Sequence, residues 1–154
     1  MPQSLSKLWI HIIFSTKKRY PFLKDLIIQQ KVHAYIKAIC YKQNCETLIV
    51  GGVEDHIHLL TELPRTLRLS DIVEKIKKSS SKWIKTISAS DEELNNFYWQ
   101  RGYAAFSVSH SNLKSVEQYI RNQYKHHQKK NFQEEVREFL IKNNISYDEK
   151  YMWD

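Results

Sequence analysis

Strand-like and helix-like stretches alternate along these 154 residues in the order β-α-β-β-α-β-α-α, and few folds accept that order. The run Lys7 to Thr16 is dense in β-branched and aromatic residues and predicts a strand. From Phe22 to Lys42 the apolar residues Leu26, Ile27, Val32, Ile36 and Ile39 fall at helical intervals. Thr47–Val53 and His56–Leu63, joined at Glu54-Asp55, predict a hairpin that Pro64 ends. Ser70 is the expected cap of a helix whose stripe is Ile72, Val73, Ile76, Trp83, Ile84 and Ile87. A fourth strand with a glycine interruption is expected over Phe97–Val108. Ser111 or Asn112 then caps a helix to about Lys130, and Phe132 to Asn143 gives the last one. The expectation is an α+β, ferredoxin- or RRM-like sandwich: an antiparallel sheet of four to five strands with helices on one face. Three glycines and three prolines leave no flexible linker, so residues 1–154 are read as a single domain.

Composition narrows the function classes. Apolar residues make up 42% and charged residues 27%, a globular balance. No apolar run reaches the length of about 20 residues that spans a bilayer, and Met1-Pro2-Gln3-Ser4 does not read as a signal peptide. Cys40 and Cys45 lack zinc-site spacing and read as reduced thiols, so the expected location is cytoplasmic, with no membrane partner. Twenty-four Lys and Arg against 17 Asp and Glu give a net charge of +7, which favours a polyanionic partner.

Two short patterns carry chemistry. In His56-Ile57-His58 a strand sends both imidazoles to one face and Ile57 and Leu59 to the other, a ready chelate for a divalent metal. In Val116–Tyr124 a helix puts Tyr119 and Gln123 one turn apart on one face. At roughly 100° per residue Leu113, Val116, Ile120 and Tyr124 form one apolar stripe, so Tyr124 is expected in the core and Tyr119 at its rim.

A His-hydrophobic-His strand followed by a helix bearing Tyr-x-x-x-Gln resembles the HUH single-tyrosine transposases of the IS-two-hundred type. His11-Ile12-Ile13-Phe14-Ser15-Thr16-Lys17 and Asp55-His56-Ile57-His58-Leu59-Leu60 resemble the same family, and the similarity runs from about Trp9 to Lys130. The resemblance implies that His56, His58 and Gln123 hold a divalent metal, Mg²⁺ or Mn²⁺, and that Tyr119 on a late helix is the nucleophile. It implies a 5′-phosphotyrosine intermediate on single-stranded DNA hairpins and a homodimer, often with each site built from both subunits. The imidazoles would also accept Zn²⁺, and Gln123 has an alternative role in orienting the tyrosine or a phosphate.

Basic residues beside aromatics suit single-stranded nucleic acid, and Lys17, Lys18, Arg19, Lys77, Lys78, Lys82 and Lys125 are the expected DNA contacts. His126 and His127, adjacent on a helix, are expected at the surface or on DNA, and Trp83 in the core. The rival from another class is a non-catalytic RRM-like binding module, but the sequence has no RNP-like aromatic run. Histidine-triad hydrolases need another alternating histidine, where Leu60 stands, and two-histidine phosphodiesterases need a second His-x-Ser/Thr copy. A domesticated relative that binds palindromes would carry the same catalytic residues.

Overall fold

The computed structural model describes residues 2–87 and 92–153. Four antiparallel strands, β1 (Trp9–Ser15), β2 (Thr47–Gly52), β3 (His56–Glu62) and β4 (Ala104–Val108), form one sheet in the order β2-β3-β1-β4. Helices alternate with and follow the strands: α1 (Leu26–Lys42), α2 (Leu69–Thr86) and, after β4, α4 (Leu113–Arg121). Shorter helices are α3 (Glu92–Asn95), α5 (Gln123–His126) and α7 (Glu149–Met152), and α6 spans Phe132–Lys142. No described helix is long and apolar enough to cross a membrane.

The helices lie on both faces of the sheet rather than on one. On the first face Ile12, Phe14, Ile57 and Leu59 pack against Val32, Ile36 and Ile39 of α1 and Ile72, Ile76 and Ile84 of α2. On the second, Trp9 and Leu60 meet Leu113 and Ile120 of α4, while Ile13 and Phe106 meet Phe132, Val136 and Leu140 of α6. Cover on both sides explains why the central strands β1 and β3 are buried almost without alternation.

Several boundaries move for local reasons. Helix α2 begins at Leu69, capped by Arg68 and Asp71 rather than by Ser70. Leu26 and Ile27 sit exposed on the first turn of α1, where the Asp25 side chain accepts from Ile27 N and Ile28 N. The fourth strand starts at Ala104. Trp99 makes only an isolated bridge to Thr16, and Gly102 at φ +80° turns the chain before the sheet resumes. Trp83 is partly buried and stacks on Tyr35 at 4.2 Å and 3°.

The helix expected to run to Lys130 breaks at Asn122, whose ψ of 22° leaves the helical region, and restarts as α5. The phase is reset there. Gln123 turns in and is buried, whereas Tyr124, expected in the core, is 70% exposed.

Candidate active site

The hairpin between β2 and β3 is tight because Gly52 adopts φ +140°, where a Cβ would lie 2.1 Å from the His56 carbonyl oxygen. The preceding Gly51 has a different task. A Cβ there would meet both the carbonyl oxygen and a side-chain carbon of Ile120 at 2.9 Å, so glycine lets α4 settle directly on β2. These two residues bring the tyrosine helix down beside the histidine strand.

His56 and His58 project onto the α4–α6 face, fully buried, while Ile57 and Leu59 enter the opposite core, as the strand alternation requires. Tyr119, from α4, and Gln123, from α5, meet them from above. Phe132, Val136, Phe139 and Leu140 hold α6 against the sheet, and Glu135 sits within that apolar stripe with its carboxylate turned to the same point. His58 Nε2 donates to Glu135 Oε1 at 2.9 Å, Gln123 Nε2 donates to Glu135 Oε2 at 3.3 Å, and the Tyr119 hydroxyl donates to Oε2. His127 Nε2 lies 3.0 Å from Gln123 Oε1 and 3.4 Å from Glu135 Oε1.

The arrangement suits a cation. Asp55 Oδ1 accepts from His56 Nδ1 at 2.6 Å, which leaves the neutral ring's Nε2 lone pair facing Gln123 Oε1 at 3.2 Å and Glu135 Oε1 at 3.6 Å. The His56 lone pair thus faces two acceptor oxygens, a repulsion that a cation between them would relieve. Donor atoms of His56, His58, His127 and Glu135 all lie within 4.8 Å of one another. Imidazoles, an amide oxygen and one carboxylate form a set that accepts Mg²⁺, Mn²⁺ or Zn²⁺. Behind this set, His11 Nε2 and His58 Nδ1 are 2.8 Å apart and hydrogen-bonded.

The electrostatics follow from burial and from the one carboxylate. Burial, helped by neighbouring His58, pushes the His11 imidazole down to about 3; burial likewise outweighs Glu135 and takes His58 to about 4. Burial opposes the charge on Glu135, but hydrogen bonds from His127 and His58 and the nearby imidazoles hold it well below the usual carboxylate range. Tyr119 is pushed far above an ordinary phenol, first by burial and then by the Glu135 charge. For His127, burial lowers the imidazole and Glu135 more than compensates, so it is raised.

The model of the family described as "Transposase IS200 like" matches residues 4–123. The chain belongs to the IS200-like transposase family. It is 27% identical over 116 residues to the transposase for insertion sequence element IS200 of Salmonella typhimurium, covering 73% of this chain and 74% of the relative, and the Salmonella typhi counterpart matches equally. A Deinococcus radiodurans protein assigned as a transposase shares the fold at TM-score 0.61 and 23% identity, over 78% of this chain and 93% of that one. The structure of a REP-associated tyrosine transposase bound to a REP hairpin aligns at TM-score 0.50 and 15% identity, over 79% and 68%.

In this IS200-like transposase the four residues singled out in the sequence, His56, His58, Tyr119 and Gln123, come together within one chain. The sequence does not single out Glu135, and it puts His127 at the surface or on DNA. The break at Asn122 turns His127 inward and leaves His126 against the Tyr119 ring at 4.5 Å between centroids. A charged residue inside the apolar stripe of α6 was the available signal for Glu135.

The basic residues divide. Lys17, Lys18 and Arg19 follow β1 at the end of the sheet occupied by Asp55 and His56, and exposed Lys125 lies on α5. Lys78 and Lys82 are exposed on α2, which packs across the sheet from the histidines. Lys77 is committed elsewhere: its ammonium donates to the carbonyls of Gln100 and Gly102, and burial lowers it to about 8.

Proposed function

We propose that this chain cuts and rejoins single-stranded DNA, with Tyr119 as nucleophile and with His56, His58 and Gln123, joined by Glu135, as ligands of a divalent metal. The observation that carries this reading is the meeting of the Tyr119 hydroxyl and His58 on the two oxygens of one buried carboxylate, Glu135. A nucleophile and a set of metal donors thus share one pocket. Mg²⁺ or Mn²⁺ is the working ion in this reading.

A divalent cation in this donor set would offset the Glu135 charge and grip a scissile phosphate opposite the tyrosine. His11 and Asp55 orient the two imidazoles, and Gln123 fixes its amide on Glu135 and on the Tyr119 carbonyl at 3.4 Å. Attack by the Tyr119 oxygen on phosphorus forms the tyrosyl phosphate bond and breaks the bond to the 3′-oxygen, which leaves as a hydroxyl after taking a proton from solvent. Glu135, which already accepts from the phenol, orients the Tyr119 oxygen toward phosphorus, and the proton that Tyr119 gives up passes to solvent. A second 3′-hydroxyl reverses the step, and the strand is resealed without ATP because the covalent bond conserves the phosphodiester energy.

The substrate in this reading is a hairpin in single-stranded DNA at the ends of an insertion sequence, handled by a homodimer in the cytoplasm. The family membership supports it, and so does the hairpin bound by the REP-associated relative in fold. The deciding experiment incubates the protein with labelled hairpins and Mg²⁺ and resolves the products under denaturing conditions. A protein–DNA adduct is expected, lost in Tyr119→Phe while DNA binding persists. A folded, metal-loaded wild type that gives no adduct on element-end sequences overturns the reading.

A further inference from the structure

A cavity of about 370 Å³ opens between the β4 edge of the sheet and the helices α6 and α7, within the range of ligand sites, about 300–1,000 Å³. It adjoins the histidine cluster through two shared walls. Ser15, on its floor, is the register partner of His56, and Phe132, on its side, packs its ring 4.5 Å from the His56 ring at 30°. Its remaining surface is largely aromatic and apolar, with Trp153 on the far wall.

Two arginines line this apolar space. Arg19 lies 5.7 Å from the centre of the Trp153 ring, and Arg101 lines the cavity next to Gln100. Among the described residues neither is paired with a carboxylate, whereas Arg68, Arg121 and Arg137 each are. Gln100 accepts from Lys18 N through Oε1 at 2.9 Å, which leaves its amide donors for a ligand. Arg19 is also held in place at a cost. It and Lys18 adopt φ of +57° and +55°, a region that side-chain-bearing residues avoid, and hydrogen bonds from Lys17 N to the Tyr98 carbonyl and from Arg19 N to the Thr16 carbonyl fix the turn.

Flat aromatic walls, unpaired guanidiniums and an amide donor are the recognition set of a nucleobase with its phosphate. We propose that this cavity takes one unpaired base of the strand whose backbone lies on the histidine cluster, stacked against Trp153 and fixed by Arg19 and Arg101. The inference deepens the single-stranded DNA reading above and rests on it. It makes the cavity a device that sets the position of the strand, separate from the residues that break it.

The test measures metal-free binding of Tyr119→Phe protein to dA10, dT10 and an abasic decamer with the same phosphates. Base-bearing decamers are expected to bind about tenfold more tightly than the abasic one. In Arg19→Gln, Arg101→Gln or Trp153→Leu that preference shrinks to about twofold or less, while abasic binding falls much less and Lys37→Gln changes neither. A 2-aminopurine placed along dT10 should be quenched most strongly at one position, and less so in Trp153→Leu. Equal binding of base-bearing and abasic decamers by the wild-type cavity overturns the proposal and leaves strand cleavage standing. Variants that weaken all decamers equally also overturn it. Failure to bind any decamer overturns both readings.

Discussion

Glu135 receives hydrogen bonds from His58, Gln123 and Tyr119 and also faces His56 and His127, so one carboxylate coordinates the whole cluster. Glu135→Gln keeps the shape and removes the charge. Metal affinity measured by calorimetry is expected to fall at least tenfold, since the remaining donors are neutral. His11 acts one layer further out. Bound to His58 Nδ1 and uncharged at neutral pH, it fixes the ring and, by accepting the Nδ1 proton, would leave Nε2 to a metal in place of the Glu135 contact, so His11→Ala should lower metal affinity about 10- to 100-fold. An unchanged affinity in His11→Ala would show that the contact is packing alone. The sequence displayed the histidine pair and Tyr119 because each rests on a local period, two residues in a strand or four in a helix. Glu135, 77 residues from His58, reaches the cluster through the packing of α6, and no spacing encodes that.

At the scale of elements, placement depends on how closely α4 approaches β2. Gly51→Ala puts a methyl group 2.9 Å from the Ile120 carbonyl oxygen, a backbone atom that cannot step aside alone. The expected cost is about 1–3 kcal/mol in chemical denaturation, with adduct formation falling because Tyr119 is lifted from the cluster. Full adduct yield in that variant would mean that α4 tolerates the shift. The same helix shows where sequence reading ends. The period up to Ile120 correctly assigns Leu113 and Ile120 to the core and Tyr119 to its rim, and then fails for Tyr124 because the ladder breaks at Asn122. Periodicity also predicted four strands and the major helices, but it could not tell that α4 and α6 cover the second face, since contacts between distant segments decide that.

Across the whole molecule, buried imidazoles couple stability to acid. His11 is depressed to about 3, and His33 and His58 to about 4, in each case chiefly by burial. Unfolded histidines titrate near about 6.5, so between there and the folded values the unfolded chain binds more protons. The contribution of these three rings to the stability of the metal-free protein should therefore be level above about pH 6.5 and fall progressively as pH drops toward 4. His33 Nε2 is buried without a hydrogen-bond partner among the described residues, so His33→Leu should make the decline in Tm shallower. A pH-independent Tm over that window would contradict the burial of these rings.

If Tyr119 acts on the histidine pair of its own chain, which it meets in this structure, breaking a strand would need no contribution from a second copy. Diluting the protein should then leave the yield of cut ends per DNA-bound chain constant. Joining ends held by two chains would be second order and fade on dilution. One protein would thus act as a nuclease when scarce and as a ligase of exchanged ends only when abundant.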